Sequence, residues 1–491
     1  MNSKSLLSKE NAILFVLIAI KLAIHFSTND QYGFHRDELY YIDCGENLDW
    51  GFVDHPPFTP AAANFARALF GDSLFAIRLF PAMAGAGIVL VTILMVRQFS
   101  GGRFAQLLGG LAVILAPRYL HSNGMLQAVS FDQFFSVLAA YFIIRTIKSG
   151  DSRLWLAVGA IAGIGLMNKH TMLFFLFGAL IGLLAAPQRK MLADKWFSGG
   201  AALASMIFLP NVLWQIKHDW PTLEFLQFIN AEKMQTISFF DFFVIGQIGS
   251  QQIFAFPIWL AGLWFFLFTE KGRPYKVFGV AYLTILLLFL IIKAKPYYLG
   301  PIYPVLFAGG AVWLGEKIGK SLWVRGSLAI VFVAGSILVM PKTALPIYPV
   351  EQTTSGDYKD MVGWDEMVAA VSEAFQTLTP EEQADCIVFT GNYGQAGAIN
   401  FLGRNAGLPK AISGHNSHWI WGPGEEMKSV AIVLGADSAA NLLRYYESVQ
   451  EAGVIRNKYG VENEEHNRPL FICRNPKISF QQAWPRLKHY D

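Results

Sequence analysis

Hydrophobic positions along this chain fall into long unbroken runs divided by short polar segments. Measured against the roughly 20 residues needed to cross a bilayer, about eleven runs qualify as helical spans. They are centred on residues 11–26, 79–96, 104–116, 131–144, 154–167, 171–186, 196–214, 242–268, 277–292, 299–314 and 322–340. Several are short and must borrow flanking residues. From about Pro341 the pattern changes: long runs disappear and charged residues become frequent through to Asp491. There, residues 386–390, 430–434 and 470–473 predict short buried strands, and 366–375 and 438–449 predict helices. The expected architecture is an α-helical polytopic membrane protein over residues 1–340, with a first outer loop at 27–78, followed by a small α/β domain over 341–491.

Composition strengthens this division. Hydrophobic residues make up 53% of the 491 and charged residues 15%, outside the balance of a soluble domain. Basic residues set an expected orientation, because they stay on the cytoplasmic side of short loops. With the N-terminus inside, Lys4, Lys9, Arg97, Arg103, Arg145, Lys148, Arg153, Arg189, Lys190, Lys195, Lys271, Arg273, Lys276, Lys317, Lys320 and Arg325 all fall in inner segments. The first outer loop is instead acidic, carrying Asp30, Asp37, Glu38, Asp43, Glu46, Asp49, Asp54 and Asp72. An odd number of spans then leaves the domain after Met340 outside. Phe26 runs into the polar loop without a small-residue cleavage site, so the first run is expected to be a retained span. The net charge of +3 says little about a partner, and none of nucleic-acid type is expected. Three cysteines are too few for a disulfide scaffold; a bridge between Cys386 and Cys473 is chemically permitted in the outer domain, but both sit in expected core strands, which favours buried free thiols.

The chemistry-bearing residues cluster on the expected outer face. Asp37 and Glu38 would supply a general base at the membrane surface, or else an N-cap. In Asp54-His55-Pro56-Pro57 two prolines fix the backbone and remove two amide donors, which would hold His55 in one place. Asp132 opens the fourth run; Lys169 and His170 fill a very short connection; Lys293 and Lys295 precede Pro296-Tyr297-Tyr298. Lysine stems and tyrosines also anchor at interfaces, but together a cation and phenolic hydroxyls would bind a lipid phosphate. Asp37, Glu38, Asp54, His55 and His218 are hard and imidazole ligands without a recognisable spacing, so no cofactor is required and a divalent cation stays open. Gly391-Asn392-Tyr393-Gly394 after a strand could cradle a phosphate or serve only as a turn.

From Tyr32 to Phe307 the chain resembles the GT-C superfamily of polyprenyl-phosphate-sugar glycosyltransferases, specifically bacterial relatives of the protein O-mannosyltransferases and the lipid A aminoarabinose transferase. Carrying the resemblance are Arg36-Asp37-Glu38, Asp54-His55-Pro56-Pro57, Phe131-Asp132, the 166–171 segment, Leu213-Trp214-Gln215 with His218-Asp219-Trp220-Pro221, and Lys295-Pro296-Tyr297-Tyr298-Leu299-Gly300-Pro301. The stretches 390–394 and 412–417 are similar to the tails of bacterial members. The resemblance implies an inverting transfer from a polyprenyl-phosphate-linked sugar to a lipid, lipopolysaccharide, glycan or protein of the cell envelope. It places the enzyme in the bacterial inner membrane, with the C-terminal domain periplasmic. Asp37 would be the base and Asp132 a second acid; His55, Lys169, His170, Lys295, Tyr297 and Tyr298 would face donor phosphate and lipid, with Asp54 and His218 toward the acceptor. Two departures stand out: aminoarabinose transferases usually carry Lys where this chain has His55, and the extra lumenal domain of eukaryotic mannosyltransferases is missing.

The rival readings are a transporter or flippase of a lipid-linked sugar, a paired-carboxylate glycoside hydrolase, and a receptor or scaffold. A transport path would place ionisable residues within the spans, which read as nearly free of them; a hydrolase needs no eleven spans; a scaffold leaves the clustered charges unexplained.

Overall fold

The computed structural model describes residues 9–232, 238–352, 356–425 and 427–491; Lys4, assigned above to an inner segment, lies outside them. The chain divides into two compact units. The first comprises Met1–Asn29, Arg78–Lys217 and Asn230–Leu345, and the second Asp30–Ile77, His218–Ile229 and Pro346–Asp491.

The first unit is helical. Among the described residues five helices are long and apolar enough to cross a membrane: Leu74–Gln98, Ala128–Ser149, Lys195–Lys217, Arg273–Ile292 and Pro296–Lys317. Two further pairs meet that test as bent spans, Met172–Leu184 with Pro187–Ala193 at 113° and Asp241–Gly249 with Ile253–Phe268 at 83°. Four shorter apolar helices are Asn11–Phe26, Arg103–Leu115, Leu154–Leu166 and Leu322–Leu338. Each apolar run of the sequence is therefore helical, but the 242–268 run is not one straight rod. It breaks where Gln252 takes φ +75°, a conformation an α-helix cannot continue.

Small residues let these helices approach closely. A Cβ on Gly159 would meet Gly200 O at 2.1 Å, one on Gly182 would meet Val277 O at 2.2 Å, and one on Gly310 would meet Ile258 O at 1.8 Å. Backbone contact of this kind replaces the hydrophobic driving force that lipid cannot supply. Outward positions are apolar: Leu322, Trp323 and Leu338 are more than four-fifths exposed, as suits a surface solvated by acyl chains.

The second unit is built on a five-stranded mixed sheet. Its strands are β1 (Cys386–Thr390), β2 (Ala411–Ser413), β3 (Val430–Val433), β4 (Tyr446–Ile455) and β5 (Arg468–Pro476), in the order β2-β1-β3-β5-β4. The first three run parallel, and β5 and β4 complete the sheet antiparallel. Ile387, Ala431, Val433, Tyr446, Phe471 and Cys473 form the core on one face. The Trp364–Gln376 helix buries Trp364, Met367, Val368, Val371 and Ala374, the spacing of an amphipathic stripe. Cys386 and Cys473 are buried free thiols on strands separated by β3.

One sequence expectation fails here. Residues 438–449 predict a helix, but helix survives only at Ala439–Leu442, and the chain then runs as β4 from Tyr446. Pairing with β5, from Tyr446↔Pro476 to Ile455↔Arg468, outweighs local helical pattern, as tertiary context commonly does.

Residues 30–77 belong to this second unit. Their Arg36–Glu46 helix lies on the Tyr393–Leu402 helix through two glycines: a Cβ on Gly394 would sit 2.4 Å from Arg36 Cγ, and one on Gly397 2.8 Å from Leu39 O.

Candidate functional site

In the second unit the polar side chains gather beyond the carboxyl ends of β1 and β2, where ligands commonly bind in open α/β sheets. Asp37 lies in the first turn of the Arg36–Glu46 helix, its side chain 35% exposed. The Tyr393 hydroxyl donates to its Oδ1 at 3.1 Å. Glu38 behaves differently. It is fully buried, and its Oε2 accepts the His35 N–H at 2.8 Å while His35 Nδ1 accepts the Asp37 N–H, a reciprocal capping box. The two adjacent acids thus divide: Glu38 closes the helix, and Asp37 keeps a carboxylate partly open to solvent.

Arg36 fixes this helix in register. Its guanidinium meets Glu464 at 2.7 Å, Glu465 at 3.2 Å and Asp360 at 3.8 Å. Burial opposes its charge, but the Glu465, Asp360 and Glu464 carboxylates outweigh that and raise its pKa further. Burial likewise raises the Glu465 carboxyl, with Arg36 pulling the other way.

Asp54 and His55 sit in an aromatic enclosure. His55 is buried, with Tyr41 and Phe52 ring centroids at 4.8 and 4.9 Å and its Nδ1 3.0 Å from Pro56 O. Asp54 Oδ1 is 3.8 Å from His55 Nε2 and 2.9 Å from the Tyr40 hydroxyl, which in turn is 2.7 Å from Ser417 Oγ. Deeper in, Asp43 receives Asn400 Nδ2 at 2.7 Å and lies 3.4 Å from His418 Nε2. Burial pushes the Asp43 carboxyl up to about 6 and the His418 imidazole down to about 3, so any proton between them belongs to Asp43. His218 stands in the connection before the Pro221–Glu232 helix, beside Asp219 and Trp220 at φ +60° and +58°.

At the 391–394 turn, offered by sequence as a phosphate cradle or a turn, the chain's own groups take up part of the hydrogen bonding. The Gly391 N–H donates to Gln395 Oε1 at 3.0 Å, and Asn392 Oδ1 accepts the Gln395 N–H.

The first unit holds a separate cluster. Asp132, in the second turn of Ala128–Ser149, is 4% exposed; Thr171 Oγ1 donates to its Oδ2 at 2.9 Å, and Oδ1 has no hydrogen-bond partner among the described residues. The turn between Leu154–Leu166 and Met172–Leu184 carries Lys169, whose Nζ stands 5.4 Å from the Tyr297 ring centroid and 5.8 Å from that of Tyr298. Its charge also acts on Asp132. Tyr297 and Tyr298 meet edge to face at 4.5 Å. His170 points elsewhere, its Nε2 3.2 Å from Asn211 Oδ1 and its ring on Phe208. Lys295 immediately precedes the Pro296–Ile302 turn.

Sequence reasoning missed several polar members of this unit. Arg118 donates to Ser250 Oγ at 2.7 Å and Gly246 O at 3.2 Å, while its Nε is buried without a partner among the described residues. A Cβ on Gly300 would touch Arg118 Cδ at 2.8 Å and Gln133 Nε2 at 3.5 Å, which puts both beside the segment bearing Tyr297 and Tyr298. Lys21 and His25 lie within the apolar run at residues 11–26; both are fully buried, and Lys21 Nζ donates to Tyr119 O at 2.9 Å. A basic residue inside an apolar run was the available signal.

Comparison with known proteins gives this arrangement its context. The profile of the dolichyl-phosphate-mannose-protein mannosyltransferase family matches residues 54–214. The lipid A galacturonosyltransferase RgtD of Rhizobium johnstonii is 26% identical over 223 residues, 45% of this chain and 46% of that protein; the match thus spans less than half of that relative. Crystal structures of ArnT from Cupriavidus metallidurans, apo and bound to undecaprenyl phosphate, superpose with TM-scores of 0.60 and 0.59. Each is 16% identical and covers 93% of this chain and 97% of ArnT. The fold of this chain is therefore that of the ArnT crystal structures.

Proposed function

We propose that this protein is an inverting glycosyltransferase that moves a sugar from a polyprenyl-phosphate donor to a cell-envelope acceptor at the outer face of the bacterial inner membrane. The observation that carries the reading is Lys169 held over the Tyr297–Tyr298 pair beside buried Asp132, in a fold shared with a protein crystallised with undecaprenyl phosphate. Similarity to a lipid A glycosyltransferase favours a lipid-type acceptor.

As the glycosidic bond breaks, the leaving phosphate gains negative charge, and preorganised cations and hydroxyls stabilise that charge more than the ground state. Lys169, Tyr297 and Tyr298 are suited to this, with Arg118 as a further guanidinium and Lys295 and His170 on neighbouring segments. Asp37 takes the acceptor proton as the new bond forms; Tyr393 orients its carboxylate. Asp132 orients Thr171, which donates to it. Asp54 and His55 shape the loop that carries the base.

Native mass spectrometry of the detergent-solubilised full chain tests the donor class. The expected result is retention of undecaprenyl phosphate in preference to undecaprenol. Equal retention of both would remove the phosphate from the reading.

A further inference from the structure

The segment that ends at Asp491 is stitched along the turn after β2. The Asn416 N–H donates to His489 O at 3.0 Å and the His489 N–H to Gly414 O at 3.1 Å, forming a parallel bridge between His415 and His489. Only glycine allows the passage, since a Cβ on Gly414 would fall 2.0 Å from Leu487 O. The two imidazoles are thereby brought side by side, ring centroids 4.5 Å apart.

Asp491 completes the group, its Oδ1 2.8 Å from His415 Nε2. One ligand atom from each of the three residues lies within 4.8 Å of the others. Two details go beyond proximity. His415 is buried, and its Nδ1 has no hydrogen-bond partner among the described residues. His489 Nδ1 is 2.9 Å from Leu487 O and its Nε2 3.2 Å from Gly391 O; a neutral ring that donates to Leu487 O leaves Nε2 deprotonated and able to ligate. A histidine held by a backbone carbonyl through one nitrogen is the usual arrangement of a metal-ligating ring.

We infer that His415, His489 and Asp491 bind one divalent transition-metal ion of the zinc type, with Gly391 O available as a further oxygen ligand. Two imidazoles and a carboxylate form a borderline donor set of the kind zinc takes. The site is apart from Asp37, Glu38, Asp54, His55 and His218, the residues the sequence offered as ligands. Its effect reaches the candidate base through one side chain: the Tyr393 ring packs on His415 at 4.6 Å and its hydroxyl donates to Asp37. That consequence rests on the transferase reading, whereas the metal site itself does not.

The test uses the full chain in detergent, stripped with a chelator and titrated with Zn²⁺. Equimolar uptake is expected, and His415→Gln and His489→Gln should each weaken it by more than the roughly 10- to 100-fold that loss of a mere outer partner causes. Asp54→Asn should bind zinc as wild type does. X-ray absorption of the wild-type zinc complex guards against misfolded variants and should show imidazole scattering at about 2.0–2.1 Å. No equimolar uptake, uptake unchanged in both histidine variants, loss in Asp54→Asn instead, or a spectrum without imidazole would overturn the site; none of these would bear on sugar transfer.

Discussion

The Tyr393 hydroxyl donates to Asp37 Oδ1 at 3.1 Å across 356 residues of sequence, joining the first turn of one helix to the first turn of another. The geometry separates a carboxylate that is held but partly open from its neighbour Glu38, which is consumed as a cap. Asp37→Asn should therefore slow sugar transfer by roughly 10² to 10⁴, the range for loss of a positioned base, with lipid binding kept. Tyr393→Phe should cost only about tenfold, as expected for one hydrogen bond to a charged group. Glu38→Gln should act on thermal unfolding more than on transfer. Rates measured beside melting curves separate the three.

Lys169→Met keeps the aliphatic stem and removes the charge. A charge-assisted contact contributes about 1.5–3 kcal/mol, so affinity for undecaprenyl phosphate should fall about ten- to hundredfold in a lipid-binding titration. Arg118→Met should add to that loss. Unchanged affinity in both variants would make them interfacial anchors only.

Asp43 gives a pH-dependent signature. Its folded pKa, about 6, stands above the ordinary 3.8, so the folded state binds this proton more tightly. Its contribution favours folding below about 3.8 and is lost as pH rises through about 6. Asp43→Asn should accordingly stabilise the protein by about 1–3 kcal/mol above pH 7, and the gain should vanish near pH 4. Denaturant unfolding of wild type and variant at both pH values checks the sign.

Arg36→Gln would leave Glu465, 2% exposed, without its guanidinium. Breaking one side of a buried pair costs about 3–5 kcal/mol, and the loss should shrink at low pH, where Glu465 is protonated. Melting temperatures across pH 4–8 report it; an unshifted melting temperature would mean that buried Glu465 needs no cation.

The helical bundle was legible because apolar length is a local signal, and each run carried it unaided. The candidate residues were legible as types but not as partners. His35-x-x-Glu38 closes a helix with a histidine in place of the usual serine or threonine, so the cap could not be separated from a catalytic acid by sequence. Residues 438–449 looked helical because the strand β5 that overrules them lies further along the chain. Tyr393, Ser417 and His418 reach the Arg36–Glu46 helix and the Asp54 turn only through the sheet's topology, and Arg118 meets the Tyr297 segment only through Gly300. No periodicity records such pairings.

The central claim, transfer of a lipid-linked sugar with Asp37 as base, is tested most directly by mass spectrometry of envelope lipids and glycans from cells lacking the gene. One glycosyl mass should disappear in its absence and return with the wild-type gene but not with Asp37→Asn, although the variant protein is present in the membrane. An unchanged envelope, or full restoration by Asp37→Asn, would contradict it.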